Sequence, residues 1–186
     1  MNLRQLPNII TGTRMLLVLP LVWSLSDGDY VLALGIALVA GASDAFDGWL
    51  AKHFGWQTRI GSLLDPVADK MLFVASFVGL WLAGASPGWL TLLVIARDVV
   101  IVSGAIIYNA LLGPIEGDPT MLSKATTAAQ IALVLALLIG LAWRPLPSAA
   151  SLAGIWVVAA LTLASGIDYV VRWSLRAYRA VRAKRQ

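Results

Sequence analysis

Six apolar stretches, each close to the length of a membrane crossing, take up most of the 186 residues and leave no polar run long enough for a soluble domain. A hydrocarbon core about 30 Å thick needs roughly 20 apolar residues per helical crossing. The first stretch covers about residues 9–25 and ends at Ser26-Asp27-Gly28-Asp29. The second starts near Tyr30 and runs through Ala42 into a carboxylate-bearing end. A polar connector, residues 52–59, precedes the third stretch at about 61–83, which stops at Gly84-Ala85-Ser86-Pro87-Gly88. Two glycines and a proline in five residues mark a tight break. The fourth spans about 89–112, the connector 113–123 follows, and the fifth covers 124–142. Trp143-Arg144-Pro145-Leu146-Pro147 then turns the chain into the sixth, about 149–171. Only 13% of residues are charged and 59% are hydrophobic, against about 25% and 45–50% in soluble domains. No repeat or low-complexity stretch divides the chain. The expected fold is all-α: a polytopic membrane protein with six transmembrane helices in a single domain, 1–186. The N-terminal segment lacks the features of a cleavable signal, so the whole chain is read as mature protein.

Basic residues set the expected orientation. Arg4, Lys52, Arg59 and Lys124 fall on one side with Arg172, Arg176, Arg179, Arg182, Lys184 and Arg185, whereas the opposite loops hold Arg144 alone. The basic side faces the cytoplasm under the positive-inside rule, which places both termini there. Trp23, Trp81, Trp89 and Trp143 lie near expected outer ends, and Trp49, Trp56 and Trp173 near inner ends, as interfacial anchors. The net charge of +4 and pI near 9.8 follow from this asymmetry and do not call for a nucleic-acid partner. Without cysteine, disulfides, thiolate zinc sites and cysteine nucleophiles are excluded.

Four aspartates fall where they are expensive. Asp44, Asp47, Asp65 and Asp69 sit at or inside the cytoplasmic ends of the second and third stretches. A carboxylate at membrane depth costs roughly 2.5–3.5 kcal/mol on insertion scales. Asp44 and Asp47 are three apart, and Asp65 and Asp69 four apart, so each pair shares a helix face. Pro66 between the latter is tolerated in a first turn and otherwise kinks the helix. The short connector makes the two helices antiparallel neighbours, so the pairs can converge. Converging carboxylates raise one another's pKa unless a cation neutralises them. All-oxygen ligation favours Mg²⁺, Mn²⁺ or Ca²⁺ over zinc. The single histidine, His53, falls in the connector and is read as a surface residue. Lys52 and Arg59 flank the cluster as candidate phosphate contacts, and Gly48 and Gly61 permit close approach of a ligand. Together these point to a diphosphate ligand.

The run Asp44-x2-Asp47-Gly48-x2-Ala51-Lys52-x8-Gly61-x3-Asp65-x3-Asp69 resembles the signature of the CDP-alcohol phosphotransferase family. It departs at Lys52, where the family usually has arginine; lysine keeps the charge but loses the bidentate fork. Pro7-Asn8 with Thr11 and Arg14 is similar to the first helix of members that make acidic glycerophospholipids, and Ser165-Gly166-Ile167-Asp168-Tyr169 to their last helix. Arg97-Asp98-Val99 and Pro119-Thr120-x2-Ser123-Lys124-x2-Thr127-x2-Gln130 look most like the CDP-diacylglycerol-dependent cardiolipin synthases. Glycerophosphate-using members carry a related Lys-x2-Thr-x2-Gln stretch but usually a glutamate after the arginine.

The resemblance implies six transmembrane helices, a homodimer, and two divalent ions, Mg²⁺ or Mn²⁺, between helices two and three. It implies Asp44, Asp47, Asp65 and Asp69 as metal ligands, with Asp69 also the general base. Asn8, Thr11, Gly48, Ala51, Lys52 and Gly61 fall to the nucleotide site. The implied reaction transfers the phosphatidyl group of CDP-diacylglycerol to an acceptor hydroxyl and releases CMP, at a cytoplasm-facing site in the cell membrane. Phosphatidylglycerol is the favoured acceptor and glycerol 3-phosphate the alternative; Lys124, Arg14, Arg97 and Arg172 are candidate acceptor or phosphate contacts. Arg97 and Asp98 lie inside the fourth stretch and, as neighbours about 100° apart on a helix, are expected not to pair with each other. A small divalent-ion transporter is the rival from another class, but it would usually place its carboxylates near the midplane and show repeated halves. A membrane prenyltransferase would carry two separated aspartate-rich motifs on a longer chain.

Overall fold

The computed structural model describes the backbone of residues 6–54, 59–112 and 120–183, and the side chains of 12–43, 68, 70–110, 120–176 and 182. The described residues form six helices and no strand: α1 (Leu6–Asp27), α2 (Tyr30–Phe54), α3 (Arg59–Leu82), α4 (Gly88–Leu112), α5 (Met121–Ala142) and α6 (Ser148–Ala183). Two helices outrun the expected apolar stretches. Lys52 and His53 lie within α2 rather than in a connector, and α6 continues past Val171 through the basic residues to Ala183. Backbone hydrogen bonding does not stop where hydrophobicity does. Pro66 falls eighth in α3, beyond its first turn.

Two compact units group these helices. The first holds α1, α2, α3 and the second half of α5. Glycine ends α1 and α3 in the same way: Gly28 (φ 81°) and Gly84 (φ 73°) take left-handed conformations. The Asp29 N–H donates to Ser24 O at 2.9 Å and the Ala85 N–H to Leu80 O at 2.9 Å. These six-to-one bonds over a left-handed glycine are the Schellman stop. Asp29 also caps α2, its Oδ1 accepting from the Leu32 N–H at 3.1 Å. The helix α1 packs against both α2 and α3. Leu21 and Leu25 of α1, Ala33 and Ala40 of α2, and Phe77 and Leu80 of α3 are buried there. A Cβ on Gly79 would collide with the Leu25 side chain, so α1 and α3 approach through the space glycine leaves. Gly79→Leu is therefore expected to destabilise the protein by about 1–3 kcal/mol through overpacking, whereas Gly35→Leu, with nothing within 4 Å of its Cβ, changes little. Detergent-phase unfolding of the two variants checks this.

The second unit holds α4, the first half of α5, and α6. Contacts advance together along α4 and α6, so the two run parallel. Trp89 meets Trp156 with ring centroids 5.4 Å apart, and the Tyr169 hydroxyl donates to Ile101 O at 3.1 Å. Tyr108 meets Trp173 edge-on at 4.9 Å. The helix α5 runs antiparallel to α6: Ser123 and Ser165 share Arg97 as a hydrogen-bond donor, while further along α5 Leu133 lies against Gly154; between these, Gln130 Nε2 donates to Thr162 Oγ1 at 3.0 Å and Thr126 Oγ1 to Leu161 O at 3.2 Å.

The distribution of polarity in this unit is inverted relative to a soluble protein. Arg97, Asp98, Thr126, Gln130, Thr162 and Ser165 are buried, while Leu92, Val99, Val102, Ile106, Leu152, Val157 and Leu163 are exposed. Exposed apolar surface of this extent marks contact with lipid. Among the described residues, three helices are long and apolar enough to cross a membrane: Gly88–Ala110, Met121–Ala142 and Ser148–Arg176. Shorter apolar runs occur at Tyr30–Ser43 and Lys70–Leu82.

Candidate active site

The motif aspartates occupy the helices that the spacing argument requires. Asp44, Asp47, Gly48, Ala51 and Lys52 fall on α2, and Gly61, Asp65 and Asp69 on α3. Their side chains lie outside the described residues, as do those of Asn8 and Thr11 on α1. Backbone register still relates them to a described group. Arg14 on α1 is only 1% exposed and is among the largest fully buried side chains. Burying a guanidinium is costly unless it is paired. Leu25 lies eleven residues after Arg14 on α1, and Gly79, which abuts Leu25, lies eleven after Ala68 on α3. With equal rise along both helices, Arg14 is level with Ala68, itself 0% exposed, and so with the turn between Asp65 and Asp69. On α2, Asp44 lies fourteen residues after Tyr30, while Arg14 lies thirteen before Asp27 across the same turn. Both counts bring a buried cation and the carboxylate-bearing turns to one depth.

In the second unit a buried arginine joins three helices. Arg97 Nη1 donates to Asp98 Oδ1 at 2.8 Å. Its Nη2 donates to Ser123 Oγ on α5 at 2.7 Å and to Ser165 Oγ on α6 at 2.9 Å. The Arg97 and Asp98 side chains are 6% and 9% exposed. The expectation that these neighbours do not pair is thus overturned. Helical phase separates their Cβ atoms, but the arginine side chain is long enough to curl back onto the adjacent carboxylate. Both terminal nitrogens of Arg97 are engaged by protein partners.

The remaining candidate cations are more accessible. Lys124 is exposed in the first turn of α5, where Thr120 caps the helix by accepting the Ser123 N–H at 3.1 Å. Arg172 is 57% exposed and its Nε meets Asp168 Oδ1 at 2.6 Å. Spacing missed the inter-helix roles of Thr126 and Thr162. The available signal was polar residues at 123, 126 and 130, spaced for one face of an otherwise apolar helix. Thr127, quoted in the motif, is exposed, and Thr126 takes the buried place.

Apolar helices with their polar groups turned inward define an integral-membrane helical protein. A family model for CDP-alcohol phosphatidyltransferases matches residues 4–166. A probable phosphatidylglycerophosphate synthase of Mycobacterium tuberculosis is 32% identical over 182 residues, 92% of this chain and 82% of that protein. A probable CMP-forming cardiolipin synthase of Drosophila melanogaster is 30% identical over 187 residues, 91% of this chain and 58% of that protein. A CDP-diacylglycerol--glycerol-3-phosphate 3-phosphatidyltransferase of Pseudomonas fluorescens is 35% identical over 147 residues, 72% of each chain. The chain belongs to the CDP-alcohol phosphatidyltransferase family, whose activity lies in phospholipid synthesis.

Proposed function

We propose that this protein transfers the phosphatidyl group of CDP-diacylglycerol to a hydroxyl of phosphatidylglycerol, forming cardiolipin and CMP. The carrying observation is the register within the first unit, which sets the buried Arg14 level with the aspartate-bearing turns of α2 and α3. Four aspartates with no histidine or cysteine among them fit a hard, oxygen-seeking cation. Asp44, Asp47, Asp65 and Asp69 would hold two divalent ions, Mg²⁺ or Mn²⁺. When bound, these supply neutralisation of the diphosphate and of the charge that builds on departing CMP.

The chain's own residues do the rest. Asp69 accepts the proton of the acceptor hydroxyl as its oxygen attacks the phosphorus of the phosphatidyl group. The bond from that phosphorus to the CMP oxygen breaks, and CMP leaves with the electron pair. A carboxylate is a weak base for an alcohol, so positioning and electrostatics provide much of the acceleration. Gly48, Ala51 and Gly61 leave room for the cytidine with Asn8 and Thr11 on α1, and Lys52 meets its phosphates. Lys124, Arg14 and Arg172 are the acceptor-phosphate candidates, with Arg97 holding the helices that carry two of them.

The protein works in this reading as a homodimer in the cell membrane, with six crossings, both termini in the cytoplasm and the site on that side. Glycerol 3-phosphate is the second reading, favoured by the relatives from Mycobacterium tuberculosis and Pseudomonas fluorescens. CMP release by purified protein in lipid, with CDP-diacylglycerol, Mg²⁺ or Mn²⁺ and each acceptor offered separately, decides between them. Release that depends on phosphatidylglycerol supports the first reading, and release that depends on glycerol 3-phosphate replaces it with the second. Asp44→Asn is expected to weaken metal-dependent nucleotide binding about tenfold or more, in the range of a disturbed metal site. CDP-diacylglycerol titration across a Mg²⁺ series measures it, and an unchanged metal dependence removes Asp44 from the ligand set.

A further inference from the structure

Toward its C-terminal end α6 carries an arginine whose guanidinium is already oriented. Arg172 Nε donates to Asp168 Oδ1 at 2.6 Å, one helical turn back. The contact uses the guanidinium nitrogen nearest the aliphatic stem. Among the described residues no hydrogen bond reaches Arg172 Nη1 or Nη2. Arg97 is the contrast, with both terminal nitrogens spent on Asp98, Ser123 and Ser165. A guanidinium held at Nε keeps its planar pair of terminal nitrogens for a phosphate, which it can meet with two parallel bonds.

Helical phase gives the direction in which Arg172 emerges. Ser165, Asp168 and Arg172 fall within about 60° of one another around α6. Ser165 marks what that face looks at, since it shares Arg97 with Ser123 in the first turn of α5. Arg172 stands about 10 Å further along the axis than Ser165, on the side of α6 where α5 begins. Lys124 follows Ser123 at that end of α5. The Asp168 side chain is 24% exposed and that of Arg172 57%, so the carboxylate lies closer to the packed helices and the arginine reaches outward. Two roles of Asp168 differ in sign. As a plain negative charge it opposes an anion at Arg172, and its removal would tighten anion binding. As the holder of Nε it restrains a long side chain, and its removal would weaken that binding.

We propose that Asp168 is a positioning residue, which holds Arg172 so that Nη1 and Nη2 face the phosphate of the acceptor. This rests on the reading in which Arg172 is an acceptor-phosphate contact, and it applies to either acceptor. The test is CMP release by the full-length protein in phosphatidylcholine nanodiscs at saturating CDP-diacylglycerol. The titrant is whichever of phosphatidylglycerol and glycerol 3-phosphate supports turnover. Arg172→Ala is expected to raise the acceptor KM about tenfold, as loss of a hydrogen bond to a charged group does, with kcat little changed. Asp168→Ala should raise that KM about fivefold although it makes the site more positive, and Asp168→Asn, whose amide oxygen still accepts from Nε, should return it to within about twofold of the parent. On the Arg172→Ala background, Asp168→Ala should add nothing further. The thermal midpoint of Asp168→Ala should stay at the parent value, because an exposed pair four residues apart contributes little stability. A lower acceptor KM in Asp168→Ala assigns the carboxylate to charge alone and overturns the proposal. An unchanged KM, or additive effects in the double variant, overturns it as well. Arg172→Ala with the parent KM also overturns it, but by removing Arg172 from the acceptor site, a result read without any change at Asp168. Turnover with neither acceptor removes the acceptor reading itself and the proposal with it.

Discussion

Asp69→Asn is expected to abolish measurable CMP release while the protein stays folded and still binds CDP-diacylglycerol. A positioned general base contributes about 10²–10⁴-fold, and asparagine can neither take the acceptor proton nor supply a second anionic oxygen. The substitution is nearly isosteric, so the loss should fall on kcat. Steady-state CMP release, paired with thermal stabilisation by CDP-diacylglycerol, separates the two effects. Turnover near the parent level would remove Asp69 from the base role and shift attention to Asp65, one helical turn away on α3. Lost binding together with lost turnover would instead assign Asp69 chiefly to holding the donor.

Arg97→Ala should carry the largest stability penalty of any single substitution in the second unit. It breaks a pair whose side chains are 6% and 9% exposed and empties the donors that hold Ser123 and Ser165. Removing one member of a buried pair costs about 3–5 kcal/mol, because the other charge stays behind. Arg97→Met combined with Asp98→Leu should recover most of that loss, since no charge is then stranded. Unfolding of the single and double variants in mixed micelles forms the test. If the double variant is as unstable as the single, the serine contacts rather than the ion pair hold the helices. Activity gives a second reading: a stable double variant that turns over normally would exclude Arg97 from contact with the acceptor.

How far the amino-acid order foretold this architecture depends on the range of the interaction. The Gly84–Gly88 break was legible because its cause is local: a glycine that accepts positive φ ends α3. The ends of α2 and α6 lie beyond the point where hydrophobicity gives out, because lysine and arginine are good helix formers outside the bilayer. The aspartate spacing placed two pairs on two helices, again a local property. What it could not provide was the register of α1 against α3, which depends on Leu25 entering the space beside Gly79, 54 residues away. Arg97 illustrates both limits. Helical phase separates it from Asp98, and only the reach of its side chain closes that pair. Its contacts with Ser123 and Ser165, 26 and 68 residues away, form only when the helices pack.

The unbroken α6 has a mechanical consequence. Its 36 residues make a rod about 54 Å long, against a hydrocarbon layer of about 30 Å. Even a 40° tilt uses only about 39 Å of it. The rod must therefore project beyond the hydrocarbon, and because it is continuous, its emergent arginines keep a fixed axial distance from Ser165, which Arg97 grips. A thicker or thinner bilayer cannot be absorbed by a hinge at that boundary. It must be met by tilting the helix or by reshaping the surrounding lipid, which makes bilayer thickness a variable to which this protein should respond.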